Sequence, residues 1–133
     1  MSRRQSPGTI IRNAHYPGRA PIDAYGNGGF RFAGMSHRGS ILCLPSGIHG
    51  WYVSIFAELN RETLACVFAE SNEIDVLLVG AGNGPGRLPP PLAIQLREVG
   101  ISADAMMTGA AVRTFNVVLA EERRVAAALL AVD

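Results

Sequence analysis

Apolar and polar residues follow two different patterns along this chain, and the change between them lies near Asn60. Before that point, apolar segments are short and are separated by glycine, proline and asparagine, a pattern typical of antiparallel strands joined by turns. The predicted strands cover 22–25, 30–32, 40–44 and 48–53, with turns at 26–29 and 37–39. The first half is therefore predicted to be antiparallel β.

After Asn60, apolar residues recur at helical spacing between short apolar runs. The first predicted elements are a helix over 61–70, capped by Asn60, and a strand over 76–79. A helix from Pro90 to Gly100 and a strand over 103–107 follow. The last predicted helix has Thr108 as its N-cap. Val112, Phe115 and Leu119 are expected on the buried face of that last helix. This alternation predicts parallel strands joined by right-handed crossovers.

The segment 124–132 fits two structures equally well. Its alanines favour a helix. The polar residues 121–124, however, already break the preceding helix, and the apolar run that follows them is short enough for a buried strand. The pattern alone leaves both alternatives open.

The length of 133 residues is that of one domain that can bury a real core. Residues 1–8 are polar and without periodicity, which predicts a mobile tail, and Ile10 could begin a short strand. The sequence therefore predicts a single compact α/β domain over 9–133. Its second half holds parallel strands with crossover helices, and its first half adds an antiparallel β layer.

The charge pattern excludes several classes of protein. The net charge is +1, and the twelve basic residues are all arginines scattered along the chain, so there is no concentrated basic face for a nucleic acid. No apolar run approaches the roughly 18 residues of a membrane span. The N-terminal arginines precede no apolar segment of a secretory signal. We therefore expect a cytoplasmic protein.

Cysteine and histidine give no sign of a metal, and a disulfide between the two cysteines is the alternative to free thiols. Cys43 and Cys66 lie in apolar surroundings, so both are predicted to be buried thiols in a reducing compartment. His15, His37 and His49 are isolated and fall in expected loops or turns, whereas zinc requires clustered ligands. We expect no metal and no cofactor.

A glycine-rich loop follows the strand over 76–79. That strand is apolar at every position, which predicts the central strand of a parallel sheet covered by helices. Glycines stand at 80, 82, 84 and 86. A dinucleotide-binding motif would need its third glycine where Pro85 stands, and a phosphate-binding P-loop needs a lysine, which this chain lacks. Two interpretations remain: a turn that relieves crowding at the strand end, or a ligand loop of another kind.

A candidate crevice lies where this loop meets the helix that begins at Thr108. If the two strands are parallel neighbours, helix N–H groups point into the crevice and favour an anion. Arg113 is expected to pair with Asp104 or with a bound anion, and the simpler alternative is a capped helix with one ion pair. The candidate ligand-binding residues are Gly80, Ala81, Gly82, Asn83, Thr108, Gly109, Arg113, Thr114 and Asn116.

Thr114 and Asn116 have no propensity advantage inside a helix. Some local constraint is therefore expected to favour them. They either tie the helix to the loops at Gly80 or Thr108, or they contact a ligand or partner in the crevice.

No catalytic set is complete in the sequence. There is no G-x-S-x-G motif, no Cys–His pair within sequence reach and no metal-binding cluster. Asp75, Glu98 and Asp104 could exchange protons, but their spacing does not bring any two together. We assign no catalytic residue and favour a protein that is not an enzyme.

Several segments of the chain resemble one protein family. Its most specific pattern, Thr-x-x-Ala-x-x-Thr-Phe-Asn, begins here at Thr108, and further likeness lies in 28–32, 39–45, 75–82, 96–101 and 121–129. The family contains the mitochondrial NADH dehydrogenase (complex I) assembly factor 3 and its uncharacterised bacterial relatives, with the adipogenesis-associated domain proteins as more distant members. The likeness covers about residues 8 to 132. The chain departs from the family at Met107, where the family usually has an acid, and at Glu122, where it often has a glycine.

The resemblance implies a compact α/β domain with an extra antiparallel layer, and it favours a strand for 124–132. It also implies a non-enzymatic protein-binding or assembly factor whose partners are respiratory-complex assembly proteins, mitochondrial in the eukaryotic relatives. The alternative function is a binder of a small anionic metabolite, or an enzyme, that uses the crevice. Trp51, Tyr52, Ile55 and Phe56 form an apolar cluster that belongs either to the core or to a homodimer interface.

Overall fold

The computed structural model describes residues 15–133. The predicted tail over 1–8 and the strand expected to begin at Ile10 lie outside these residues. In chain order the elements are β1 His15–Tyr16, β2 Ala24–Gly26, β3 Gly29–Phe32, β4 Met35–Arg38, β5 Ser40–Leu44, β6 Gly47–Trp51, α1 Ala65–Ala69, β7 Val76–Gly80, α2 Pro90–Glu98, β8 Ser102–Met106, α3 Thr108–Ala120 and β9 Val125–Leu129. Two short 3-10 turns, Phe56–Glu58 and Ser71–Glu73, lie on either side of α1.

Six strands form the larger sheet, in the order β1-β6-β5-β9-β7-β8. β7 pairs in parallel with both β8 and β9, which confirms the parallel arrangement predicted for the second half. β5 is antiparallel to both β6 and β9. The strand β9 therefore joins the antiparallel first half of the chain to the parallel second half.

Both faces of the large sheet are covered, and the alternation of side chains along β5, β7 and β9 divides the core in two. On one face, Leu77 and Val79 pack with Leu64 and Val67 near α1 and with Leu96 of α2. On the other face, Leu78 and Leu129 pack with Val112 and Phe115 of α3 and with Phe32 of the small sheet. These contacts place β9 between two apolar layers, where all five of its residues are buried.

The segment that the pattern left open is the strand β9. Alanine prefers a helix, but Ala126, Ala127 and Ala128 are completely buried between the two layers. Their small side chains let helices approach both faces of the sheet. The polar break before them is a turn in which Glu122 takes a positive φ of 61°. Burial therefore outweighs propensity here.

The small sheet has the order β2-β3-β4 and confirms the antiparallel prediction. The turn predicted at 37–39 is wrong, since β4 continues to Arg38 and only Gly39, with a φ of 99°, separates it from β5. All three histidines lie in strands rather than in loops or turns, and His37 is buried. Side chains alternate along β4, and His37 lies on the covered face of the small sheet. The sequence of this strand is short and polar, so it did not predict that His37 is buried.

The predicted helices are confirmed in place but not in every length. The α-helix expected over 61–70 is limited to α1, and its preceding turn is closed by Asn60, whose Oδ1 accepts the Thr63 N–H at 2.8 Å. The helix α2 begins at Pro90, and Gly100 follows it with a φ of 86°. Val112 and Phe115 are buried in α3, whereas Leu119 is only half-buried.

Two expectations about burial need correction. Cys43 is buried in β5, but Cys66 is exposed on α1, because it falls on the side of the helix opposite Leu64 and Val67. The apolar cluster near Trp51 likewise contains both buried and exposed side chains. Trp51 is buried and donates its Nε1–H to the Thr63 carbonyl at 2.8 Å, whereas Tyr52 and Ile55 are exposed.

Candidate functional site

The loops that follow β7 and β8 are joined by backbone hydrogen bonds. The register aligns Gly80 with Met106, so the two strands end side by side. The Ala81 N–H donates to the Met106 carbonyl at 2.7 Å, and the Thr108 N–H donates to the Gly82 carbonyl at 2.9 Å. The juxtaposition expected from two neighbouring parallel strands is therefore present.

Thr108 is a buried tie between three segments and not the N-cap of α3. Its Oγ1 accepts the Gly82 N–H at 2.9 Å and donates to the Leu130 carbonyl at 2.8 Å. Met107 is the N-cap residue, and no side chain caps the helix there. The prediction was wrong because the hydroxyl is turned into the core, where Leu130 needs a donor. Thr108 thus connects the glycine loop to Leu130 from the buried side of the crevice.

The glycines of the loop differ in how much space surrounds their Cα atoms. A Cβ at Gly80 would lie 3.0 Å from Thr108 Oγ1 and 3.1 Å from Thr108 Cα. A Cβ at Gly86 would lie 2.5 Å from that of Ala81. A Cβ at Gly84 would meet nothing within 4 Å. Gly80 and Gly86 therefore relieve crowding, the first of the two interpretations, while the middle of the loop stands open to solvent.

A cavity of about 170 Å³ opens at this end of the sheet. It is lined by Tyr25, Gly82, Asn83, Met107, Gly109, Ala110, Arg113 and Val132. We call it the Arg113 cavity. Four of the nine candidate residues line it, namely Gly82, Asn83, Gly109 and Arg113. Gly80, Ala81, Thr108, Thr114 and Asn116 do not.

The two remaining helix residues have contacts elsewhere. Asn116 bonds through both side-chain atoms to the backbone of Ile22, and Thr114 Oγ1 lies 3.9 Å from Met106 Sδ. Neither side chain ties the helix to the loops at Gly80 or Thr108, which was the first of the two alternatives for these residues. Asn116 instead connects α3 to the chain that enters the small sheet.

Arg113 forms no ion pair within residues 15–133, so the expected pairing with Asp104 is wrong. Asp104 and Arg113 are both exposed. The two salt bridges of the described chain lie elsewhere, between Asp75 and Arg124 and between Glu121 and Arg123. No aspartate or glutamate lines the Arg113 cavity. The cavity therefore presents one cation without an acidic side chain beside it.

Sequence inspection missed Tyr25, whose position is set by the small sheet. Its hydroxyl lies against Gly109, where an added Cβ would clash with it. The 83 positions between these residues carry no pattern that predicts the contact. Only the packing of β2 next to α3 brings them together.

A second cavity, of about 340 Å³, adjoins the first. Its lining includes Trp51, Tyr52 and Asp133, and it shares Asn83 and Val132 with the Arg113 cavity. The two cavities thus form one continuous surface. We call this surface the cavity face and define it by Tyr25, Tyr52, Asn83, Met107 and Arg113.

The groups with shifted pKa values lie away from the cavity face. The hydrogen bond from Arg124 holds the pKa of the Asp75 carboxyl below its ordinary value, and burial raises the pKa of the Cys43 thiol. Within the described residues, no three histidine, cysteine, aspartate or glutamate side chains cluster as metal ligands. None of the helices between residues 15 and 133 has the length and apolar character needed to cross a bilayer.

Comparison with known proteins confirms the family resemblance. Residues 22–130 match the family described as protein of unknown function DUF498/DUF598. An uncharacterized protein of Rhodobacter capsulatus is 39% identical over 119 residues, which cover 90% of each chain. The NADH dehydrogenase [ubiquinone] 1 alpha subcomplex assembly factor 3 of Xenopus tropicalis is 32% identical over 109 residues. That match covers 82% of this chain but only 60% of the Xenopus protein.

Solved structures agree with the fold. A crystal structure from Bartonella henselae, described as that of an outer membrane protein, has a TM-score of 0.86 and 60% identity, and the match covers 90% of this chain and all of that one. A Rhodopseudomonas palustris protein solved by NMR has a TM-score of 0.81 and 44% identity, over 100% of this chain and 93% of that one. A Bordetella pertussis protein described as an Mth938-like domain has a TM-score of 0.73 and 27% identity, over 98% and 92%.

Proposed function

We propose that this chain, which belongs to the DUF498/DUF598 family, is a protein-binding assembly factor without catalytic activity. The observation that carries the proposal is its 32% identity to an assembly factor of NADH dehydrogenase. Its partners would be subunits or assembly proteins of a respiratory complex. A cytoplasmic location is part of the same proposal, and cell fractionation tests it.

The cavity face supports protein binding by its composition. Tyr52 is 78% exposed, Met107 48% and Tyr25 43%, and Arg113 stands among them. Tyrosine, methionine and arginine are enriched in protein interfaces relative to other surface. Arg113 is exposed in a cavity without acidic side chains, while Asp133 lines the adjoining cavity, so the charges favour a partner segment that places an acidic residue at Arg113 and apolar residues beside it.

Deletion of the gene in the native organism tests the role. We expect a reduced amount of assembled NADH dehydrogenase on native gels, with recovery when the gene is restored. Affinity purification from the same cells should recover subunits or assembly proteins of that complex, identified by mass spectrometry. Unchanged assembly together with no such partner in repeated purifications would refute the proposal.

A pair of surface variants tests where the partner binds. Tyr52→Glu combined with Met107→Glu should abolish recovery of the partner, because both side chains would bring charge into an apolar contact. Ile94→Glu is the matched control, since Ile94 is 50% exposed on α2, outside the cavity face. Equal loss in the control would show that binding is not confined to the cavity face.

A second candidate function is the binding of a small anionic metabolite in the Arg113 cavity. It is favoured by Arg113, which has no ion pair within residues 15–133 and lines a cavity free of acidic side chains. A ligand that binds only the folded protein raises its melting temperature. We expect such a shift from an anion in a metabolite screen, and its loss in Arg113→Ala. A shift that Arg113→Ala leaves unchanged would exclude this site, and no shift across the screen would exclude the function.

The exposed Tyr52 and Ile55 are also compatible with a homodimer. Light scattering across a concentration series tests this arrangement. A monomer mass at the highest concentration would exclude it.

A further inference from the structure

Two Asn–Gly pairs in the described chain differ in how the structure holds them. They are Asn27-Gly28, in the hairpin between β2 and β3, and Asn83-Gly84, in the loop after β7. Asparagine followed by glycine can deamidate, because no Cβ hinders the approach of the glycine nitrogen to the asparagine side chain. The reaction needs a free backbone N–H and a backbone that can rotate.

The hairpin pair is restrained at the reacting nitrogen. The Gly28 N–H donates to the Val132 carbonyl at 2.8 Å, and the Gly28 carbonyl accepts from the Gly39 N–H at 2.7 Å. Asn27 and Gly28 have φ values of 53° and 79°, which are those of the tight turn that joins two paired strands. Attack by the Gly28 nitrogen would break a hydrogen bond and distort the hairpin.

The loop pair has neither restraint. Within residues 15–133 no acceptor bonds the Gly84 N–H, and Asn83 and Gly84 are both exposed. The hydrogen bonds between Thr108 and this loop are made at Gly82, one residue before the pair. Gly84 also has no contact within 4 Å of its Cβ position. Attack by the Gly84 nitrogen would therefore break no hydrogen bond of the described chain and would meet no crowding at Gly84.

We infer that Asn83 is a site of spontaneous deamidation in the folded protein, whereas Asn27 is protected. The Gly84 nitrogen attacks Cγ of Asn83, and the new C–N bond closes a succinimide ring. The bond from Cγ to Nδ2 breaks, and ammonia leaves with the proton from the Gly84 amide. Water then opens the ring to aspartate or isoaspartate.

The product would carry a new negative charge on the cavity face. Asn83 lines both cavities, and Arg113 lines the smaller of them. A carboxylate at position 83 would add the first acidic side chain to the Arg113 cavity. If the proposed function is correct, the modification would weaken binding of an acidic partner segment. The chemistry itself does not depend on that function.

The test is incubation of the folded protein in mildly alkaline buffer, followed by peptide mapping with mass spectrometry. We expect the peptide with Asn83 to gain the mass of deamidation about fivefold to tenfold faster than the peptide with Asn27. That factor corresponds to the net free energy of about one hydrogen bond. In denaturant the two sites should react at similar rates, because the restraint on Gly28 is then absent.

Gly84→Ala is the matched control. Its Cβ has space and its φ lies outside the left-handed region, so the fold should tolerate it, while the added Cβ should slow ring closure. Equal native rates at Asn27 and Asn83 would overturn the inference. So would an Asn83 that stays intact while the denatured chain reacts, or one whose rate Gly84→Ala leaves unchanged. These outcomes are independent of whether a respiratory partner is found.

Discussion

The side chain of Asn116 forms two hydrogen bonds with the backbone of Ile22. Its Oδ1 accepts the Ile22 N–H at 2.8 Å, and its Nδ2 donates to the Ile22 carbonyl at 2.8 Å. An amide side chain supplies both a donor and an acceptor, so it replaces the strand partner that Ile22 lacks at this point. This pairing connects α3 to the segment that leads into the small sheet.

Asn116→Ala should lower the free energy of unfolding by about 1–3 kcal/mol, because it leaves polar backbone atoms of Ile22 without partners. Denaturant unfolding measures the change. Val117→Ala is the control, since Val117 is 60% exposed and should change stability by no more than about 0.5 kcal/mol. If Asn116→Ala had an effect as small as that of the control, the two hydrogen bonds would not stabilise the fold.

Loss of the Thr108 hydroxyl should reduce stability more than loss of its methyl group. Thr108→Val keeps the shape but removes the acceptor for Gly82 and the donor for Leu130, so we expect a loss of about 1–3 kcal/mol. Thr108→Ser keeps both hydrogen bonds and should lose clearly less. Denaturant unfolding of the two variants compares them. An equal loss in both would indicate that packing, rather than hydrogen bonding, holds the loops together.

Replacement of glycine by alanine should have different effects on stability at Gly80 and at Gly84. Gly80→Ala places a Cβ 3.1 Å from Thr108 Cα and should lower stability by about 1–3 kcal/mol, as overpacking does. Gly84→Ala should be close to neutral, because nothing lies within 4 Å of its Cβ. Melting temperatures of the two variants give the comparison. A neutral Gly80→Ala would remove the evidence that the glycine relieves crowding there.

Sequence patterns predicted those parts of the molecule that depend on local periodicity. The central strand β7, the start of α2 at Pro90 and the parallel pairing with β8 follow from apolar runs and turn residues. The resemblance, rather than the pattern, favoured a strand at β9. The parts that could not be predicted depend on contacts distant in sequence, such as Tyr25 against Gly109 or Asn116 against Ile22. No short-range signal encodes these contacts, because they form only when the small sheet packs against α3.

The ion pair between Asp75 and Arg124 predicts a dependence of stability on pH. Arg124 donates from Nη2 to Asp75 Oδ1 at 2.8 Å, and this hydrogen bond lowers the pKa of the carboxyl in the folded protein. The stabilisation is complete above the ordinary carboxyl pKa and is lost as the pH falls through the lowered value.

Unfolding of Asp75→Asn and the unsubstituted protein at neutral and acidic pH tests this dependence. The difference in stability should be present at neutral pH, should shrink with added salt and should vanish in acid. Both side chains are more than half exposed, so we expect the difference to be small. A difference that persisted unchanged in acid would mean that Asp75 acts through something other than its charge.

The two cysteines should differ in reactivity, because the structure places only one of them at the surface. The thiolate is the reactive form of cysteine, and burial raises the pKa of the Cys43 thiol, so this residue is both inaccessible and protonated. Cys66 is exposed on α1. A thiol reagent at neutral pH should therefore modify one site per native chain, and Cys66→Ser should abolish that fast reaction. After unfolding in denaturant, Cys43 should react as well. Two fast thiols in the native protein would show that the core around β5 opens more readily than its packing implies.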